Sequence, residues 1–267
     1  MTLFDPDDRT PAPAGETVRV SMLLAYDGRN YHGFAENVGV KTVAGALTGA
    51  LQRVLGHGIA LTCAGRTDRG VHARGQVVSF DAEREGLDLE RLKKSVNGLC
   101  KPWIVVRDLS LVADTFSARF SATSRRYRYT IVNRPVPDPF LHAQSWHVAL
   151  PLDLDLLRLG CDPFIGMHDF SAFCRKVKVP EGERVPSLVR RVSDARWVDE
   201  GDGLLRFWIE ANSFCRQMVR SIVGTMVDVG LGEITAGDIH RIIESGDRRQ
   251  AGDVAPPDGL VLWEVSY

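Results

Sequence analysis

Val18, Val20, Met22, Leu24 and Tyr26 are apolar or aromatic at every second position, the period of a half-buried strand, and the run stops at the turn formers Asp27 and Gly28. From Thr42 the period lengthens, with Val43, Leu47, Ala50, Leu51 and Val54 at helical spacing. Strand patterns follow over 59–64 and 76–80 with a loop between them. Asp88 can then cap a helix marked by Leu89, Leu92, Val96 and Leu99, and a strand over 103–112 closes the series. The order β-α-β-β-α-β predicts an N-terminal α/β half over 17–115. Residues 116–267 repeat that order less cleanly. Strands are expected over 125–133, near 145–150, and over 188–198 and 204–211 around the turn Asp199-Glu200-Gly201-Asp202-Gly203. Helices are expected from Asp153, over 212–229 and after Thr235, with a last strand over 260–267. The expected class is α+β: two ferredoxin-like halves forming an extended, mainly antiparallel sheet, with helices on one face and a central cleft. Residues 1–16, acidic and carrying Pro6, Pro11 and Pro13, read as a disordered tail without a targeting signal.

Charge interrupts every apolar run well short of the roughly 20 residues that a membrane span requires. Cys63, Cys100, Cys161, Cys174 and Cys215 are odd in number and hold no Cys-x-x-Cys pair, so reduced, mostly buried thiols, a cytoplasmic setting and no metal are expected. The net charge of -1 suits a nucleic-acid partner only if cations are concentrated. They are: Arg119, Arg125, Arg126 and Arg128 form one acid-free group, and Arg66, Arg69 and Arg74 surround a single acid. Acids gather elsewhere, at Asp5, Asp7 and Asp8, over 81–90 and over 199–202. A neutral protein with a basic groove is the resulting expectation.

That single acid is Asp68, in Gly65-Arg66-Thr67-Asp68-Arg69-Gly70-Val71-His72-Ala73. Out of context Asp-Arg-Gly is an ordinary turn former. Here the cations favour a charged carboxylate, which can act as a nucleophile, while the glycines allow close backbone approach and the arginines suit phosphate. The strand over 125–133 places Arg125, Tyr127, Tyr129 and Ile131 on one face and Arg126, Arg128 and Thr130 on the other. Aromatic rings among cations can stack on an extruded base while the cations hold the backbone, although the same tyrosines can simply pack a sheet. On the helix over 212–229, Phe214, Met218 and Ile222 mark a buried side and Arg216 and Arg220 lie a turn apart on another. His72 and His168 read as structural.

The string from Gly65 to Ala73, with Gly75-Gln76-Val77, closely resembles the active-site signature of the tRNA pseudouridine synthase A family, in which the motif aspartate is the catalytic nucleophile. The resemblance runs from about residue 18 over almost the whole chain. It includes Tyr26-Asp27-Gly28 with Tyr31-x-Gly33, Phe116 to Ala122, His168 to Phe173, Ala211-Asn212-x-Phe214 with Met218 to Gly224, and Pro257-x-Gly259-Leu260. It implies an isomerase that converts uridine to pseudouridine at positions 38, 39 and 40 of tRNA anticodon stem-loops, working without a cofactor as a cytoplasmic homodimer. It also implies site roles: Asp68 attacks C6 of the base or C1′ of the sugar, Tyr127 stacks on the target base or accepts a proton, and Arg220 pairs with Asp68. Arg66 fills the place of the flipped nucleotide or contacts its phosphate. The grouping of cations, read from the residues themselves, adds Arg69, Arg74, Arg125, Arg126 and Arg128 as substrate-binding candidates, with Leu260 of the Pro257-x-Gly259-Leu260 string. Two departures stand out. Phe34-Ala35-Glu36 replaces the usual Trp-Gln-Arg, removing a cation and a large ring expected near RNA, and Arg69 stands where alanine is frequent. A uracil methyltransferase would need a nucleophilic cysteine and a Gly-rich donor-binding turn, and neither pattern is present. A non-catalytic RNA-binding protein on the same fold would keep the groove and lose the nucleophile, yet Asp68, Tyr127 and Arg220 all remain.

Overall fold

The computed structural model describes residues 11–175 and 186–267. The chain divides into two compact units, Met1–Thr123 with Leu262–Tyr267, and Ser124–Val261. The class is mixed α+β, with mainly antiparallel strands and five α-helices among the described residues.

The first unit runs β1 (Thr17–Tyr26), α1 (Val43–Leu55), β2 (Thr62–Cys63), β3 (His72–Glu83), α2 (Leu89–Cys100) and β4 (Ile104–Leu111). Strand order is β4-β1-β3, with β2 on β3. The alternating residues of β1, Val18 to Tyr26, are all buried, as the two-residue period requires. Thr42 caps α1 by accepting from the Gly45 N–H, and Asp88 caps α2 by accepting from the Arg91 N–H. α1 packs on α2, and α2 on β4.

Two expected strands change length. Only Thr62 and Cys63 of 59–64 join the ladder, opposite Ser79 and Val78. β3 begins at His72 rather than 76, because β1 pairs with it as far as Tyr26 opposite Ala73. The second half of the signature is therefore strand, and only 64–71 is loop. Of the expected tail, residues 1–10 lie outside the described residues. Beyond them, the Pro11 carbonyl accepts from the Gly58 N–H at 2.7 Å and the Ala14 N–H donates to Glu83 Oε1 at 2.6 Å, so 11–16 are tied to the unit.

The second unit runs β5 (Ser124–Val132), β6 (Trp146–His147), α3 (Leu154–Leu159), β7 (Gly166–Asp169), β8 (Val189–Asp199), β9 (Leu204–Ala211), α4 (Met218–Gly230) and α5 (Ala236–Ser245). Strand order is β5-β9-β8-β7, with β6 parallel to β5. The β8–β9 turn uses positive φ at Gly201, Asp202 and Gly203. β6, β7 and the succession of α4 and α5 depart from a second β-α-β-β-α-β order. The expected helix over 212–229 starts only at Met218. Before it, Asn212 Oδ1 accepts from the Arg191 N–H at 3.0 Å, which ties the backbone to β8, and Gln217 has a φ of 63°. Arg216 is thus off the helix that carries Arg220.

β10 (Leu260–Ser266) has its first two residues in the second unit and the rest in the first. The expectation of five separate thiols needs correction: the structure bonds Cys174 to Cys215, with Cα atoms 5.9 Å apart. Cys63, Cys100 and Cys161 are free thiols. Among the described residues no helix is long and apolar enough to cross a membrane, and no group of three or more His, Cys, Asp or Glu could hold a metal ion.

Candidate active site

In the first unit, residues 64–71 connect β2 to β3, and the backbone around Asp68 is tied from outside at several points. The Ala64 N–H donates to the Val77 carbonyl at 2.9 Å, closing the loop at its base. Gln76, fully buried, donates from Nε2 to the Gly65 carbonyl at 2.6 Å and accepts from the Gly65 N–H at 3.3 Å. Thr67 shares a 2.7 Å hydrogen bond with the Tyr26 hydroxyl, and its carbonyl accepts from the Phe34 N–H at 3.1 Å. Burial pushes the Tyr26 phenol up, so it stays a neutral hydrogen-bonding partner.

Glycines let the neighbouring chain come this close. Gly33, at φ +94°, would put a Cβ 2.9 Å from the Thr67 carbonyl, and a Cβ at Gly28 would run into the Val71 carbonyl. The Gly28 N–H in turn donates to His72 Nδ1 at 3.2 Å, so His72 serves as a brace. Asp27 completes this corner. Burial works against its charge, but hydrogen bonds from the Arg29 side chain and backbone outweigh burial and hold its carboxyl below the usual carboxylate range.

On this scaffold Asp68 is half-buried and Arg66 and Arg69 are exposed. Arg74, on β3, is exposed too, its guanidinium 4.4 Å from the centre of the Trp263 ring. Phe34 does not present a ring to RNA. It is buried at 2% exposure against Tyr26, with ring centres 6.1 Å apart.

In the second unit, β5 alternates as expected: Arg125, Tyr127, Tyr129 and Ile131 are buried, and Arg126 and Arg128 are half-buried. The Tyr127 ring meets Phe214 edge-on at 5.0 Å. Tyr129 is core, its hydroxyl donating to the Pro256 carbonyl at 2.8 Å. Arg125, at 8% exposure, donates from Nη1 to the Asn212 carbonyl at 2.8 Å, which fixes the approach to α4. Arg126 forms an ion pair with Glu210 at 2.5 Å. Leu260 is buried. Arg220, on the first turn of α4, donates from Nε to the Ala255 carbonyl at 2.6 Å, and its own carbonyl accepts from the Ala255 N–H at 3.1 Å. Its guanidinium is thereby oriented by the segment before β10.

The sequence-predicted residues thus fall in two groups. Arg66, Asp68, Arg69 and Arg74 share a loop and the strand after it, and Arg125, Tyr127 and Arg220 are held by β5, α4 and their connections. Sequence reading missed the residues that hold the loop, Gln76, Thr67 and Phe34. The one available signal was Gln76 itself, a polar residue directly before the apolar run Val77-Val78.

A family model described as tRNA pseudouridine synthase matches residues 161–267. Over 253 residues the chain is 37% identical to a tRNA pseudouridine synthase A from Brevibacillus brevis, covering 93% of this chain and 99% of that protein. Proteins of the same description from Acetivibrio thermocellus and Thermoanaerobacter sp. are 37% and 38% identical over 248 residues, with 93% of this chain and 99% of theirs covered.

Proposed function

The chain belongs to the tRNA pseudouridine synthase A family, and from that premise we propose that it isomerises uridine to pseudouridine at positions 38, 39 and 40 of tRNA anticodon stem-loops, with Asp68 as nucleophile. The observation that carries this reading is Asp68 itself, half-buried between two exposed arginines on a loop pinned by buried hydrogen bonds. A nucleophile needs a fixed direction of attack, and that pinning supplies it. The reaction breaks the bond from uracil N1 to ribose C1′ and makes one from C5 to the same carbon, with C5 giving up its proton. No atom is gained or lost overall, so a carboxylate that attacks C6 or C1′ and then departs is sufficient, without a redox group or methyl donor.

Tyr127, held edge-on by Phe214, serves as the wall for the target base or as a proton acceptor. The assignment of Arg220 to Asp68 rests on the sequence resemblance, and the grip of Ala255 on the Arg220 guanidinium is what a positioned cation requires. In this reading Arg66 and Arg69, exposed on either side of Asp68, meet phosphate or the vacated base position, with Arg74 and Arg128 as further cations toward the RNA, while the charge of Arg126 is balanced by Glu210. Arg125 and Leu260 act through the elements they anchor.

Within this reading the first unit is one ferredoxin-like half, supported by its order β-α-β-β-α-β and by β2 and β1 flanking β3. The chain works as a homodimer in the cytoplasm on tRNA. A single-chain mass in solution would contradict the dimer. The reading itself is tested with tRNA tritiated at uracil C5. Purified protein with no added cofactor is expected to release tritium stoichiometrically with pseudouridine formed, and binding without release would replace the enzyme with a non-catalytic RNA-binding protein.

A further inference from the structure

Cys174 and Cys215 have no role in the proposed reaction, yet their setting is specific, for Cys215 directly follows Phe214, whose ring meets Tyr127. Cys174 follows directly on Phe173, which meets Phe164 and Phe170 edge-on at 5.4 Å and 6.3 Å, all three rings fully buried, so its backbone is held by core. Cys215 stands at the entry to α4, where its carbonyl accepts from the Met218 N–H at 3.2 Å. Next to the pair, the Arg175 N–H donates to the Arg216 carbonyl at 3.0 Å, holding the two segments side by side. The Cα separation of 5.9 Å lies in the ordinary disulfide range.

Cys174 also borders a cavity of about 580 Å³ that is lined by Arg175, Gln217, Asp247, Arg248 and Arg249. Three arginines face one carboxylate there. Arg248 is braced by the Ala251 and Gly252 carbonyls at 3.0 Å and 2.9 Å, and Arg249 pairs with Asp247. Cys174 itself is buried and Cys215, like the free Cys63, is half-buried, so Cys215 is the thiol of the pair that a small disulfide can reach. Burial pushes Cys100 up to about 11 and Cys161 up to about 12, which leaves both poor nucleophiles.

We propose that Cys174 and Cys215 are a reversible thiol–disulfide site whose exchange partner is a small anionic disulfide of the glutathione class, received by the arginine-lined cavity. In the oxidising direction one cysteine thiolate attacks a sulfur of the small disulfide and expels one small thiolate, leaving a mixed disulfide. The second cysteine thiolate then attacks the protein sulfur of that bond and expels the other small thiolate. The two protein thiols lose two protons and two electrons, and the small disulfide leaves as two thiols. Closing the bond joins the rigid Phe173 end to the turn that leads into α4, whose Cys215 carbonyl accepts from the Met218 N–H, so redox state sets the order of the first turn of α4.

The test uses the full chain, reduced and then exposed to glutathione disulfide or to uncharged hydroxyethyl disulfide, with free thiols trapped by alkylation and peptides mapped by mass. A Cys174–Cys215 link is expected, with Cys63, Cys100 and Cys161 alkylated. The ratio of the glutathione disulfide rate to the hydroxyethyl disulfide rate is expected to fall about tenfold in Arg175→Glu/Arg249→Glu, the size of a steering effect. The hydroxyethyl disulfide rate divides out any change in thiolate fraction, and circular dichroism reports whether the variant is folded. Cys174→Ser is expected to accumulate a mixed disulfide on Cys215, the half-buried thiol of the pair. Hydrogen exchange at the amides of Met218 and Ser221 is expected to be slower in the oxidised chain. Both cysteines remaining alkylated in excess glutathione disulfide, or pairing elsewhere, overturns the site. An unchanged rate ratio overturns the cavity as receptor, and equal exchange in the two redox states overturns the coupling to α4.

Discussion

The backbone that leads to Asp68 is held by groups that are not its neighbours in sequence. Gln76, eleven residues from Gly65, satisfies both the carbonyl and the N–H of Gly65, and its Nε2 also reaches the Tyr26 hydroxyl at 3.4 Å. Replacing Gln76 by Leu keeps the volume and strands those buried groups, which costs about 1–3 kcal/mol for each one left unsatisfied. Urea denaturation is expected to show that loss, and turnover is expected to fall further than tRNA affinity, since the loop would lose its direction before it lost its arginines. Equal loss of turnover and affinity would contradict a positioning role. The candidate nucleophile could be proposed from sequence because its signature is contiguous, nine residues from Gly65 to Ala73. Its support was not, because it is made of contacts between residues up to fifty apart, such as Gln76 with Tyr26. Phe34 shows the same limit: a departure from the family string reads as a missing RNA contact until its ring is seen packed on Tyr26.

Among the elements, those with a strict period and a capping residue were legible: β1 from its alternation, and α1, α2 and α3 from Thr42, Asp88 and Asp153. Those decided by pairing or crowding were not. β3 is longer than its apolar core because β1 pairs with it down to Ala73, and α4 starts late because Asn212 is engaged with β8. α4 also carries two tests. Gly224 in its interior would gain about 1 kcal/mol of helix propensity as Ala. However, its Cβ would overlap the Asp253 carbonyl, a backbone atom that cannot swing aside. Gly224→Ala is therefore expected to lower Tm in calorimetry, and a raised Tm would contradict the close packing of 253–255 on α4. Asp228 is the second. Burial first, then the charges of Glu233 and Asp253, raise its pKa above the usual value. A carboxyl raised on folding binds its proton more readily in the folded state, so it opposes folding once ionised, and the opposition fades as pH falls through its folded value. Asp228→Asn is expected to raise stability at neutral pH and to lose that advantage in acid. A gain that persists unchanged at low pH would assign it to something other than charge.

For the whole molecule the net charge of -1 gives no general attraction to RNA, so affinity must come from a few placed arginines. Arg69, exposed and next to Asp68, is expected to act as one phosphate contact. Arg69→Ala should weaken tRNA binding and lower the dependence of log affinity on log salt by about 1. An unchanged slope would remove Arg69 from the RNA surface. The β-α-β-β-α-β element order of the first unit could be read from its periodicities, whereas β6, β7 and the paired α4 and α5 of the second have no counterpart in a repeated pattern. Every proposed role depends on Asp68 performing the chemistry. Tritium release from C5-labelled tRNA, measured for Asp68→Asn at a concentration that saturates binding, tests it most directly. The account predicts release lower by several orders of magnitude with tRNA affinity and Tm close to those of the unaltered chain, and release near the unaltered rate would contradict it.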